Sequence, residues 1–163
     1  VFSLVLHELG HAYAAYAWGV NVVEVEVDPL TLEIDVKGIW GVYDVGVPLD
    51  EQIIQGQIEG GLAQGLGYAT LEVMQHRAGR ILQDTLTDYI IPTAQDVPHM
   101  RSELVLNPYE YGPFGAKGAG ELPLVGAAPA LAAAVQQALG IPVDKIPITP
   151  EELLEALERR DGC

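Results

Sequence analysis

Between Asp50 and Met74 the apolar residues Ile53, Ile54, Ile58, Leu62, Leu66 and Leu71 recur at three- and four-residue spacings, yet Gly56, Gly60, Gly61, Gly65 and Gly67 lie among them. The period demands a helix. Each interior glycine costs that helix about 1 kcal/mol relative to alanine, so something must offset the loss. It is either another backbone packed closely against the helix or a ligand lying on it. On a helix Gln57, Gly61, Gln64, Gly65 and Tyr68 share one face, so both alternatives concern the same surface.

The remaining segments supply the partners. Val22, Val23, Val25 and Val27 with Glu24 and Glu26 between them, the turn signal Asp28-Pro29, and then Ile34, Val36 and Ile39 to Val42 predict a β-hairpin over 21–45, with one face buried and one acidic. Residues 75–107 read as short strands and loops, with 88–91 and 103–106 the β-prone parts. Pro129 is suited to a first helical position, Ala130 to Leu139 is a strong helix former, and Gly140 is a stop. A last helix starts at Thr149 as N-cap with Pro150 and Glu152 behind it, a capping box, and ends with Arg159 and Arg160 at its negative pole. The predicted class is α+β: a β-hairpin and short strands packed with a glycine-rich helix, an alanine-rich helix and a capped C-terminal helix.

Composition narrows the function. A chain of 163 residues, 49% hydrophobic and 19% charged, can build a core of its own or form one lobe of something larger. Its net charge of −15, with only eight Lys and Arg, argues against nucleic acid and against an anionic membrane surface. One cysteine, Cys163, excludes an internal disulfide framework, fits a reducing, cytoplasmic setting, and cannot ligate an iron–sulfur cluster. No Lys or Arg precedes Lys37, so a secretory signal is not expected, and the absence of an initial methionine suggests a fragment.

The stretch Gly112-Pro113-Phe114-Gly115-Ala116-Lys117-Gly118-Ala119-Gly120-Glu121 puts a single carboxylate at the end of a glycine-rich loop. Ordering so many glycines is entropically costly, which points to a site. A solvated surface glutamate is the plainer alternative. This loop and the upstream run from Gln55 to Tyr68 resemble, in order, spacing and wording, the C-terminal part of the molybdenum-binding subunit of the xanthine dehydrogenase and aldehyde oxidase family. The resemblance runs from about His11 to Leu157 and includes Tyr43-Asp44-Val45-Gly46, Asp88 to Pro92, and Thr149-Pro150-Glu151. The wording Gly115 to Leu122 is most similar to the selenium-dependent xanthine dehydrogenase branch.

The resemblance implies a molybdenum–molybdopterin cofactor shared with a region that precedes the matched part. It implies oxidative hydroxylation of a purine or another aromatic heterocycle. A glutamate in the position of Glu121 would act as general base, which requires a carboxylate within about 3 Å of the oxygen it deprotonates and screened from water. Gln57 would hydrogen-bond the pterin, with Gly61 and Gln64 on the same face. Lys117, Gly118 and Gly120 would hold the pterin phosphate or shape the loop; pairing of Lys117 with a carboxylate such as Glu110 is the alternative. Partners implied are the remainder of the molybdenum subunit and iron–sulfur and flavin modules, so the isolated piece is expected to be inactive. A non-catalytic assembly lobe is a further alternative.

Residues 1–20 carry a conflicting pattern. Val5 to His11 contains His7-Glu8-x-x-His11 in an apolar setting, which resembles site-2-type zinc peptidases, where two histidines one turn apart bind zinc and the glutamate activates water. No later segment offers the expected third ligand, and His76 and His99 match no zinc spacing. The segment therefore reads as an apolar helical stretch, either a foreign or accidental join to a molybdopterin-binding domain over 21–163 or a buried helix with a structural His pair, with no second membrane-length span. A zinc peptidase with zinc as its cofactor is the alternative function.

Overall fold

The computed structural model describes residues 17–162; His7, Glu8, His11 and Cys163 lie outside them. Strands β1 (Trp18–Val27) and β2 (Ile34–Asp44) form the predicted hairpin, antiparallel, with Trp18 opposite Asp44 and Val27 opposite Ile34. The Asp28 carboxylate sets its turn by accepting from the N–H groups of Leu30 (2.7 Å) and Thr31 (2.9 Å). Register shifts once, between Glu24 and Val25: their partners are Gly38 and Val36, leaving Lys37 as the extra residue of a bulge. The strand begins at Trp18, so residues 18–20 belong to the sheet and not to an N-terminal helix. All three are exposed.

Helix α1 (Glu51–Thr70) is the glycine-studded element, capped by Asp50, whose side chain accepts from Ile53 N–H. It ends short of Met74, and Ile53 and Leu71 are exposed. After it come two two-residue strands, β3 (His76–Arg77) and β4 (Arg80–Ile81), and then β5 (His99–Val105). Strand β5 lies parallel to β2, pairing Gly38 with His99 through Asp44 with Val105, so β2 is central in a sheet ordered β1-β2-β5. The long connection through α1 satisfies the crossover that a parallel pair requires. Segment 88–91 is not a strand: Asp88 and Tyr89 N–H groups both turn back on Thr85 O, and the Tyr89 hydroxyl donates to Glu72.

Helix α2 (Leu122–Leu139) starts seven residues earlier than Pro129 predicts, with Pro123 in its first turn and Pro129 inside. An interior proline costs roughly 3 kcal/mol. Burial of Pro123, Ala127, Ala128, Leu131 and Val135 against α1 and the sheet outweighs it. Gly140, left-handed at φ 65°, ends the helix as expected. Helix α3 (Pro150–Asp161) is capped by Thr149, which accepts from Glu152 N–H; the Glu152 carboxylate turns to Lys145, so the capping box is only half made.

The two helices cover one face of the sheet. Ile39, Tyr43 and Val45 meet Ile58 and Leu62 of α1 and Ala127 of α2. A second cluster, with Leu66, Leu131, Val135, Ile148 and Leu153, joins α3 to them. The outer face carries Glu24 and Glu26 at the bulged end and Glu103 beside Val42, while Trp18, Val20, Val22 and Val42 are exposed and apolar. This differs from the predicted all-acidic face, because Trp40 and Val42 alternate with the buried Ile39 and Tyr43.

The two alternatives for the α1 glycines separate by position. A Cβ on Gly61 would lie 3.0 Å from Pro123 Cβ, and one on Gly65 would lie 2.6 Å from Ala127 Cβ, whereas Gly60 faces open space. Gly60→Ala is expected to stabilise by about 0.5–1 kcal/mol through helix propensity. Gly65→Ala gains the same but overpacks a rigid contact at about 1–3 kcal/mol, a net loss. Opposite shifts in denaturation midpoint check this; two shifts of the same sign refute it.

Candidate functional site

The glycine loop is stitched to the end of β2. Val47 and Tyr109 N–H groups donate to Gly115 O at 2.9 Å, and Lys117 N–H donates to Val45 O at 2.8 Å. Gly46 makes this approach possible: it has φ 76°, and a Cβ there would lie 2.4 Å from Gly115 O. Phe114, also left-handed at φ 54°, points out of the loop and is 88% exposed.

Lys117 does not pair with Glu110. Its Nζ donates to Asp44 Oδ2 at 2.6 Å, with the two side chains only 5% and 13% exposed. Asn107 Nδ2 donates to the same oxygen at 2.6 Å, and Gly46 N–H to Asp44 Oδ1 at 3.0 Å. Burial alone raises the carboxyl's pKa, but the Lys117 ammonium, the Asn107 amide and the Gly46 N–H outweigh it and hold it below its ordinary 3.8. The cation is thereby committed to shaping the loop.

Beyond Lys117 the chain is open. Gly118, Gly120 and Glu121 are exposed, and a Cβ on Gly120 would meet nothing within 4 Å. Glu121 occupies the N-cap position of α2, but its side chain makes no capping bond. The positive end of the helix dipole favours a carboxylate there. Gln57 reaches this segment from α1, its Nε2 donating to Gly120 O at 3.3 Å.

Of the residues singled out from sequence, the fold thus brings together Gln57, Lys117, Gly118, Gly120 and Glu121. Gly61 is used in helix contact, one turn below Gln57. Gln64 stands two turns away, about 10 Å along the helix, on an apolar groove with Tyr68, Val125 and Ala128. Screening of Glu121 from water is not provided by the described residues. Nor do the described residues bring together three or more His, Cys, Asp or Glu side chains able to hold a metal; His76 and His99 are exposed on β3 and β5.

Sequence reasoning missed the supports of the loop. Tyr43, 1% exposed, donates its hydroxyl to Asn21 Oδ1 at 2.5 Å, and Asn21 Nδ2 donates to Pro123 O at 3.2 Å. Gln55 Nε2 donates to Ser102 Oγ on β5 at 2.6 Å. The available signal was the pattern of Gly19 and Asn21 beside Gly41 and Tyr43, small and polar residues at alternate positions of a strand pair that otherwise buries valine and isoleucine.

Asp44→Asn leaves the Lys117 cation buried without its counter-charge, a loss of about 3–5 kcal/mol for a buried pair broken on one side. Because the folded carboxyl is depressed, its contribution is complete above pH 3.8 and fades as pH falls through the lower folded value. Denaturation of both proteins should show a gap that is constant near neutrality and closes on acidification below 3.8. A gap that widens with acid refutes the assignment.

The family model described as the molybdopterin cofactor-binding domain matches residues 6–98. A probable xanthine dehydrogenase subunit from Bacillus subtilis (strain 168) is 37% identical over 145 residues, which is 89% of this chain and 20% of that protein. The carbon monoxide dehydrogenase large chain of Hydrogenophaga pseudoflava is 38% identical over 124 residues, 76% of this chain and 15% of that one. Among solved structures, quinoline 2-oxidoreductase from Pseudomonas putida 86 superposes with a TM-score of 0.76 at 34% identity, covering 82% of this chain and 18% of that chain. The chain therefore spans a fifth or less of the length of these relatives. With more than half of its residues matched by the family model and relatives agreeing along most of the rest, the chain belongs to the molybdopterin cofactor-binding domain family, as a molybdopterin-binding region of the xanthine dehydrogenase and aldehyde oxidase type.

Proposed function

We propose that this chain supplies one side of the cofactor cavity in a molybdenum hydroxylase that oxidises a purine or another aromatic heterocycle, with Glu121 as general base. The observation that carries the reading is the Gln57 to Gly120 hydrogen bond, which sets an amide and a carboxylate 63 or more positions apart on one open edge. The donor set fits a pterin. Apart from the bond to Gly120, the Gln57 amide keeps an acceptor oxygen and a second N–H, and the bare backbone of Gly118 and Gly120 leaves room for a flat group to approach.

When bound, the cofactor supplies the oxygen-transfer and two-electron chemistry. The chain's own residues hold it and move a proton: Gln57 orients the pterin edge, and a Glu121 carboxylate oxygen accepts the proton. Lys117, being committed to Asp44, shapes the loop and is not offered to a phosphate. The remaining parts of the molybdenum subunit would close the cavity over Glu121, and iron–sulfur and flavin modules would carry electrons away. The heterocyclic substrate rests on the wording of residues 115–122 and on relatives named for xanthine and quinoline; a relative named for carbon monoxide marks how far substrate varies around this fold.

Co-expression with the rest of a molybdenum subunit tests this. Glu121→Gln should keep molybdenum content and lower turnover roughly 100- to 10,000-fold, while Gln57→Ala should lower cofactor occupancy. Full turnover of Glu121→Gln with intact molybdenum removes Glu121 from the mechanism. Zinc in place of molybdenum, lost on His7→Ala or His11→Ala, would instead support the peptidase reading of His7, Glu8 and His11.

A further inference from the structure

The carboxylate of Glu121 makes no capping bond of its own, so its place is set by the backbone on either side. Upstream, Asp44 holds Lys117 on one face of β2. Downstream, the neighbouring residue Tyr43 works on the opposite face through Asn21, whose amide reaches Pro123 O in the first turn of α2. The space for this relay is cleared by glycines on three elements. A Cβ on Gly19 would lie 2.6 Å from the Tyr43 ring, one on Gly41 would lie 2.5 Å from its hydroxyl oxygen, and one on Gly126 would lie 2.4 Å from Asn21 Nδ2. Burial pushes the Tyr43 hydroxyl up to about 12, against a smaller opposing effect of the Asn21 bond, so it remains a neutral donor. The amide orientation follows from its partners: Nδ2 faces a carbonyl and Oδ1 faces a hydroxyl.

We propose that Tyr43 and Asn21 are positioning residues for Glu121, a buried relay from sheet to helix that fixes where α2 begins and therefore where the carboxylate stands. The inference rests on the general-base reading of Glu121. A proton transfer is sensitive to small displacements, and a misplacement of about 1 Å costs on the order of 100-fold. Two variants interrupt the relay from different elements. Tyr43→Phe removes the donor and keeps the ring, and Gly126→Ala pushes the Asn21 side chain off Pro123 O from the helix side, with every residue of the sheet unchanged.

In the complete co-expressed enzyme, each variant should retain molybdenum and KM while kcat falls roughly 10- to 100-fold. In a Glu121→Gln background neither should lower the residual rate by more than about two-fold, because both act through the carboxylate. Hydrogen exchange should quicken in peptides covering 118–126 and not in those of β1 and β2. Equal losses in both backgrounds would mean a general structural contribution and overturn the proposal, as would unchanged kcat or exchange that quickens uniformly. Full activity of Glu121→Gln overturns this inference together with the general-base reading; loss there but not in Tyr43→Phe or Gly126→Ala overturns this inference alone.

Discussion

Helix α1 offers α2 a surface with no side chains at Gly61 and Gly65, and the approach of Gln57 to Gly120 and Glu121 follows from that contact. Because Pro123 and Ala127 rest against bare backbone, α2 lies close enough for its entry segment to come within reach of Gln57. A pair of alanines in place of the glycines would hold α2 away by the thickness of a methyl layer. The propensity lost in α1 is thus the cost of placing an amide and a carboxylate side by side, and burial of Ile58, Leu62 and Ala127 at 2% exposure or less offsets it.

Much of this was legible in the sequence because it is local or periodic. The hairpin, the glycine-studded helix, the Gly140 stop and the Thr149 cap each announce themselves within a few residues. The misreadings have one cause, which is tertiary contact overriding a local signal. Pro129 resembles a helix start, but the buried Pro123 takes that place once α2 has α1 to pack on. Segment 88–91 has strand composition, but Tyr89 is drawn to Glu72 just past the end of α1 and its N–H turns back on Thr85 O.

The site was half legible. Resemblance brought forward Gln57, Lys117, Gly118, Gly120 and Glu121, and these do meet. What no local rule could show is which partner each would choose. Lys117 passes over nearby Glu110 for Asp44, 73 residues away in sequence, and Asn21 reaches 102 residues to Pro123. Gly61 and Gln64 share Gln57's face on a helical wheel, yet α2 covers the first and distance along the axis removes the second. A helical wheel records direction and says nothing of what fills it.

Tyr43 and Asp44 are neighbours that serve opposite faces of β2, and this makes the end of that strand intolerant of changes in length. Side chains alternate with a period of two, so a one-residue slip would swing the tyrosine outward and the aspartate under the helices. Both supports of the loop would fail together. The bulge at Lys37 lies at the far end of the hairpin, where the sheet carries no such duty, and the pairing from Glu24–Gly38 to Trp18–Asp44 runs on without a break. An inserted or deleted residue would therefore be absorbed at one end of β2 and would break both supports at the other.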